Sequence, residues 1–220
     1  MISEKGKVFF VGAGPGDPNL ATLRTKEIIL KSDVLIYDHQ VNPEFRKWAS
    51  PECEQIDVGN SLVRDTVAQD EIGKILVNKA SDERLVVRLK SGDPFVFGRC
   101  DEELSVLNDA GIDYEIIPGV TAALACAAYA GIHLSYGDYG SSISFLIGHD
   151  DVTKESLRVD FAKFADVGGT LCIYMGMSKI EEIVKSLLRG GMPKDKPAAI
   201  VSNATLPTQR HVRCNLGDLV

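Results

Sequence analysis

The stretch Val8-Phe9-Phe10-Val11-Gly12-Ala13-Gly14-Pro15-Gly16-Asp17-Pro18 decides how the chain is read. Four apolar residues, Val8 to Val11, predict a buried strand. They run into glycines at three alternate positions, Gly12, Gly14 and Gly16. Glycine leaves no Cβ in the way, so such a turn lets the backbone approach a ligand closely. A dinucleotide fingerprint needs G-x-G-x-x-G opening directly into a helix, and its third glycine position here holds Asp17. Pro15 and Pro18 fix φ and remove two N–H donors that a phosphate cradle would use, and Asp17 would repel a pyrophosphate. No Gly-Lys-Ser/Thr follows, so the turn is no P-loop. The loop suits a ligand without phosphates. The plainer alternative is a tight strand–helix turn.

Outward from this loop, strands and helices alternate. Helices are predicted over Thr22 to Lys31, over Pro43 to Ala49 with proline in its first turn, and behind the capping box Thr66-x-x-Gln69. A further helix follows Arg99, with Leu104 and Leu107 inward and Gly111 as its stop. Strands are predicted at Val34 to Tyr37, Glu54 to Val58, Arg84 to Leu89 and Tyr114 to Ile117. This alternation argues for a mainly parallel α/β sheet. Pro118-Gly119 is the best boundary, giving one α/β domain over 1–117 and a second over 118–220. In the second, Thr121 to Ala130 predicts an alanine-rich helix with Thr121 as N-cap. Strands at Ser144 to Ile147, Thr170 to Tyr174, Ala198 to Val201 and Gln209 to Cys214 follow, with a helix near Lys154 to Ala165. Another helix is predicted behind a capping box, Ser178-x-x-Glu181, ending at Gly190-Gly191. Leu216 to Val220 reads as a helix barely begun, so the natural chain is expected to run further.

Composition narrows the function classes. A net charge of −7 argues against general nucleic-acid or anionic-membrane binding. No apolar run approaches the ~18 residues of a spanning helix, and Met-Ile-Ser-Glu-Lys is no signal peptide. The five cysteines are odd in number, widely spaced and without C-x-x-C. They predict neither a disulfide framework nor a metal site, and they fit a reducing cytoplasm.

In an open α/β sheet, ligands sit beyond the carboxyl ends of the strands. Gly12–Pro18, Asp38–Gln40, Gly59–Arg64 and Lys90–Arg99 fall there. Asp38 is either a general base or a cap or solvated carboxylate. Arg99 and Glu102 are either catalytic or an i,i+3 surface pair. Arg88, Lys90 and Arg99 either gather an anion or form a solvated face.

Several motifs stand in order along the chain. Val11-Gly-Ala-Gly-Pro-Gly-Asp-Pro18 is followed by Tyr37-Asp38 and Val87-Arg-Leu-Lys-Ser-Gly-Asp-Pro-Phe-Val-Phe-Gly-Arg99 with Glu102-Glu103. Then come Ile117-Pro-Gly-Val-Thr-Ala122, Tyr129-Ala-Gly-Ile132, Asp138-Tyr139, Gly148-His149, Tyr174-Met-Gly176 and Gln209-Arg210. From about Lys7 to Leu219 the chain resembles the tetrapyrrole methylase family, and most of all its branch that C-methylates uroporphyrinogen III to precorrin-2 for sirohaem and cobalamin. The resemblance implies two α/β domains with S-adenosylmethionine in the cleft between them, S-adenosylhomocysteine as product, and a cytoplasmic homodimer. Carried over by position, the cofactor contacts are Pro15, Ser91, Gly92, Asp93, Val96, Thr121, Ala122, Met175 and Ala204. Asp38 falls on the proton-acceptor position, and Arg99, beside Glu102, on an arginine linked to turnover. A substrate with eight carboxylates needs cations, and a guanidinium pairs with carboxylate bidentately.

Departures from the family lie mainly on the substrate side. The proton-donor lysine is Asn60 here, followed by Ser61-Leu-Val-Arg-Asp65, and the motif His-Arg-Asp-Tyr reads Tyr136-Gly137-Asp138-Tyr139. Ser91 and Ala204 replace glycines. Serine costs roughly 1 kcal/mol if position 91 requires positive φ. Two further readings follow from these departures: a methylase of the same fold acting on another substrate such as a later precorrin, or a non-catalytic cofactor-binding domain.

Overall fold

Lys7–Gly12 forms β1, buried from Val8 onward. It lies between Leu85–Lys90 (β4) and Tyr114–Ile117 (β5), parallel to both. Val34–Asp38 (β2) runs parallel to β4 and to Glu54–Gly59 (β3), so the sheet order is β3-β2-β4-β1-β5. The computed structural model describes residues 6–59, 69–80, 84–137, 140–148 and 157–220.

A parallel sheet is covered on both faces, so its strands read as unbroken apolar runs. Phe9, Val11, Leu35, Tyr37, Val87 and Leu89 share one face with Ile28 and Ile29 of Leu23–Lys31 (α1) and with Phe45. Val8, Phe10, Val34, Ile36 and Val86 share the other. There they meet Ile72 and Leu76 of Gln69–Ala80 (α2) and Leu107 of Cys100–Ala110 (α3). Thr22 caps α1 through the Thr25 N–H at 3.0 Å, and α3 stops at Gly111 at φ 63°. Thr66 lies outside the described residues.

The chain divides into two units, Met1–Ala122 and Ala123–Val220. That division falls a few residues beyond the boundary read from Pro118-Gly119. The cause is Gly119, whose N–H donates to Asp93 Oδ2 at 3.0 Å and whose backbone lies on Gly12. The second unit holds all but the first residue of Ala122–Tyr129 (α4), the parallel pair Ile143–Ile147 (β6) and Thr170–Tyr174 (β7), and Ile180–Arg189 (α5). Pro197–Ser202 (β8) and Arg210–Asn215 (β9) form an antiparallel pair. Its core gathers Leu146, Phe161, Ile183, Val184, Leu187 and Leu216.

The helix expected over Pro43 to Ala49 is present as a 3-10 helix, Pro43–Trp48, with proline at its start, Phe45 buried and Asn42 capping the Glu44 N–H. Two expectations are corrected. In the described part of Lys154 to Ala165 only Phe161–Phe164 turns, as a 3-10 helix. Asp160, at ψ 86°, redirects the chain there, and Leu157 and Phe161 reach one core from either side of it. Ser178 caps nothing as an N-cap: it lies inside a 3-10 turn, Met177–Lys179, that feeds straight into α5. No helix among the described residues is long and apolar enough to cross a membrane.

Candidate functional site

The loop after β1 is fastened to the loop after β4. Gly14 and Gly92 exchange two backbone hydrogen bonds, at 3.1 and 2.8 Å, and Ala13 N–H donates to Lys90 O at 2.8 Å. Gly12 serves a purpose that the sequence did not disclose. A Cβ there would stand 2.5 Å from Gly119 N, 2.6 Å from its Cα and 2.7 Å from Gly92 O, so its bareness admits main chain rather than ligand. Gly92 is different: it sits at φ 68°, and a Cβ there would meet nothing within 4 Å. Asp17 accepts from Asn19 N–H at 2.9 Å and caps a short turn. Asn42 Nδ2 donates to Gly16 O at 2.8 Å.

In the turn after β4, the Asp93 carboxylate accepts from two backbone amides, Phe95 N–H at 2.9 Å and Gly119 N–H at 3.0 Å. That carboxylate thus caps the turn before Phe95 and ties β4's loop to β5's. Ser91 is not among the positive-φ residues, so the strain anticipated there is absent; of the two neighbours it is Gly92 that takes the left-handed conformation. Pro15 and Val96 are half-buried and Thr121 is buried. Arg99, itself at φ 51°, grips Glu102 with Nε at 2.9 Å and Nη2 at 3.0 Å. Both side chains are nearly half exposed, which is the surface pair of the plainer reading.

Asp38 closes β2 at an irregularity in its pairing with β3: Tyr37 stands opposite Asp57, but Asp38 stands opposite Gly59. Such bulges re-aim side chains. Asp38 Oδ1 accepts from Arg88 Nη2 at 2.6 Å. Arg88 Nε and Nη2 also donate to the Glu103 carboxylate at 2.9 and 3.2 Å, and Lys90 Nζ donates to Glu103 at 2.7 Å. The side chains of Arg88, Lys90 and Glu103 are 1, 4 and 0% exposed, and that of Asp38 is 23%. Two cations and two carboxylates balance. Burial works against the charge on Arg88, but Asp38 and Glu103 overcome it and hold its pKa above the ordinary value. Burial likewise opposes the Glu103 charge, and Arg88 and Lys90 overcome it, keeping that carboxyl below its usual range.

This cluster was missed. Arg88 and Lys90 are neither a solvated face nor an anion-gathering patch. The available signal was strand alternation: Val86, Arg88 and Lys90 share a face, and a charge inside so apolar a strand requires a buried partner. Cys100, Glu103 and Leu107 fall on one side of α3, which supplies that partner.

In the second unit, the Tyr174 hydroxyl accepts from Ala123 N–H at 2.9 Å, in the first turn of α4. Met175 follows at φ 52° and is 40% exposed. Ala204 lies between two left-handed residues, Asn203 at 50° and Thr205 at 68°. Gln209 Oε1 accepts from Thr205 N–H at 2.7 Å. Asn60, Ser61 to Asp65, Asp138, Tyr139 and His149 lie outside the described residues, and Gly137 is exposed. A depression of about 550 Å³ lined by Ser32, Cys53 and Arg84 lies at the amino ends of the strands, opposite Asp38. Among the described residues, no group of three or more His, Cys, Asp or Glu is placed to hold a metal ion.

The model of the tetrapyrrole (corrin/porphyrin) methylases matches residues 7–220. The chain belongs to this family. It is 42% identical over 217 residues to the uroporphyrinogen-III C-methyltransferase of Methanocaldococcus jannaschii, covering 98% of this chain and 88% of that protein. It is 43% identical over 218 residues to siroheme synthase 2 of Yersinia enterocolitica, covering 99% of this chain but 46% of that protein. The chain thus spans about half the length of the siroheme synthases that it matches. Its fold is also that of the Thermus thermophilus uroporphyrin-III C-methyltransferase solved with S-adenosylhomocysteine, at 33% identity and a TM-score of 0.83 over 97% of this chain and 90% of that one.

Proposed function

We propose that this methylase transfers methyl from S-adenosylmethionine to a pyrrole carbon of uroporphyrinogen III, leading to precorrin-2. The observation that carries the proposal is its match, along nearly the full length of both chains, to a uroporphyrinogen-III C-methyltransferase. The site chemistry is consistent with it. The Gly12–Pro18 loop brings no cation and few amide donors, which suits a sulfonium ligand without phosphates. Gly92 leaves open space where a side chain would stand.

On this reading Pro15, Ser91, Gly92, Val96, Thr121, Ala122, Met175 and Ala204 contact the cofactor. Asp93 serves it by fixing the loop through Phe95 and Gly119. The cofactor supplies an electrophilic methyl group. What remains for the protein is alignment and proton handling. Asp38 accepts the proton released at the pyrrole, and Arg99 turns from Glu102 to a substrate carboxylate. We further propose a homodimer working in the cytoplasm.

Asn60 and Gly137, standing where the family carries a lysine and an arginine, favour a second reading: another tetrapyrrole with fewer carboxylates to neutralise. Anaerobic incubation with uroporphyrinogen III and methyl-labelled S-adenosylmethionine tests both. Label in the tetrapyrrole at an enzyme-like rate is the expected result. Cofactor binding without transfer would move the assignment to the second reading or to a non-catalytic domain.

A further inference from the structure

We infer that Arg88 is a positioning residue for Asp38, and that Glu103 and Lys90 hold Arg88 to that task. The inference rests on the methyl-transfer reading above and adds three residues to its machinery.

The contacts form a directed chain. Lys90 Nζ and two nitrogens of Arg88 fix the Glu103 carboxylate, and Arg88 Nη2 continues to Asp38 Oδ1. Three members are sealed from solvent, and only Asp38 reaches the surface. Arg88 therefore cannot meet a substrate itself. Nor does a stable core call for it, since well-packed apolar residues of similar volume serve stability as well or better.

The geometry shows what the cluster does accomplish. A guanidinium is a rigid plane. Held through Nε and Nη2 on one carboxylate, it has no freedom left to swing. Nη1 donates to Leu89 O at 3.4 Å, and Nη2 also fixes Oδ1 of Asp38, while Oδ2 has no partner among the described residues. The bulge between Tyr37 and Asp38 aims the backbone, and Arg88 fixes the last torsion. A lysine at position 88 has one nitrogen to divide between two carboxylates and cannot reproduce this.

The test is a double-mutant cycle on turnover with labelled cofactor, alongside thermal melts. Arg88→Lys is expected to lower kcat roughly 10- to 100-fold, the scale of an ~1 Å misplacement, with KM for S-adenosylmethionine unchanged. Glu103→Gln, which loosens Arg88 without touching Asp38, should lower kcat less. In an Asp38→Ala background neither should lower it further. If Arg88→Lys does not fold, Glu103→Gln carries the cycle; if both unfold, the Arg88→Met/Lys90→Met/Glu103→Leu protein, which leaves no sealed charge unpaired, does. Losses that multiply with Asp38→Ala, or a lowered melting temperature with kcat intact, would overturn the inference while leaving the methyl-transfer reading standing. A wild-type protein that binds cofactor but methylates no tetrapyrrole overturns both.

Discussion

Gly12→Ala isolates the main-chain contact at the end of β1. Gly12 has an ordinary φ, so alanine fits its backbone; what it lacks is room. The new Cβ would lie at 2.5–2.7 Å from atoms of Gly119 and Gly92, all of them backbone, where about 3.5 Å is comfortable. One of the two loops must retreat by about 1 Å. Overpacking of this kind costs roughly 1–3 kcal/mol. Retreat also strains the two Gly14–Gly92 hydrogen bonds, worth about 1 kcal/mol each. The total is about 3–5 kcal/mol, or a fall of about 6–20 °C in melting temperature for a chain of this size. Gly92→Ala is the matched control. It has space but a φ of 68°, so it loses only about 1–2 kcal/mol, or about 2–8 °C. Differential scanning calorimetry on the two variants decides the matter. A Gly12→Ala protein melting no lower than Gly92→Ala would refute the argument that crowding, not conformation, governs Gly12.

Glu103 ties stability to acid. Its carboxyl titrates below its unfolded value, so its contribution is full above the usual carboxylate range and is lost as pH falls through the lower, folded value. The stability gap between wild type and Glu103→Gln, read from urea melts, should therefore be widest at neutral pH and narrow below about pH 4; a gap that widens on acidification would contradict this. Asp93→Ala removes both amide contacts of that carboxylate and should cost about 1.5–3 kcal/mol while weakening S-adenosylmethionine binding in calorimetry. Unchanged stability would mean that water replaces it fully. Burial pushes the Cys100 thiol up to about 12, so iodoacetamide near pH 8 should leave it unlabelled until the protein unfolds; rapid native labelling would exclude the buried position.

The fold was largely legible because a buried parallel strand is an unbroken apolar run, as Val8 to Val11 and Val34 to Tyr37 show. Helix detail was less so. Leu157, Phe161 and Phe164 keep helical spacing, yet Asp160 divides them. At the site, strand ends located Asp38 and the Gly12–Pro18 loop, because topology alone puts them at the carboxyl edge. The Arg99–Glu102 pair matched its plainer reading. Spacing could not reveal partners distant in sequence: Arg88 finds Glu103 only when α3 lies over β4, and Asp93 finds Gly119 only when β5 returns beside β1. Local sequence does not show which of Ser91 and Gly92 takes the left-handed conformation, and the structure gives it to Gly92.

The burial of the Asp38 cluster also separates two kinds of electrostatics by ionic strength. At physiological salt, charges are screened over about 8 Å of solution, but ions do not enter a sealed core. Arg88, Lys90 and Glu103 are closed to solvent, so added salt leaves the setting of Asp38 unchanged. The Arg99–Glu102 pair, nearly half exposed, stands in the ion atmosphere. A salt titration of turnover therefore reads capture of a polyanion at the surface apart from proton handling beneath it: the first weakens with ionic strength and the second does not.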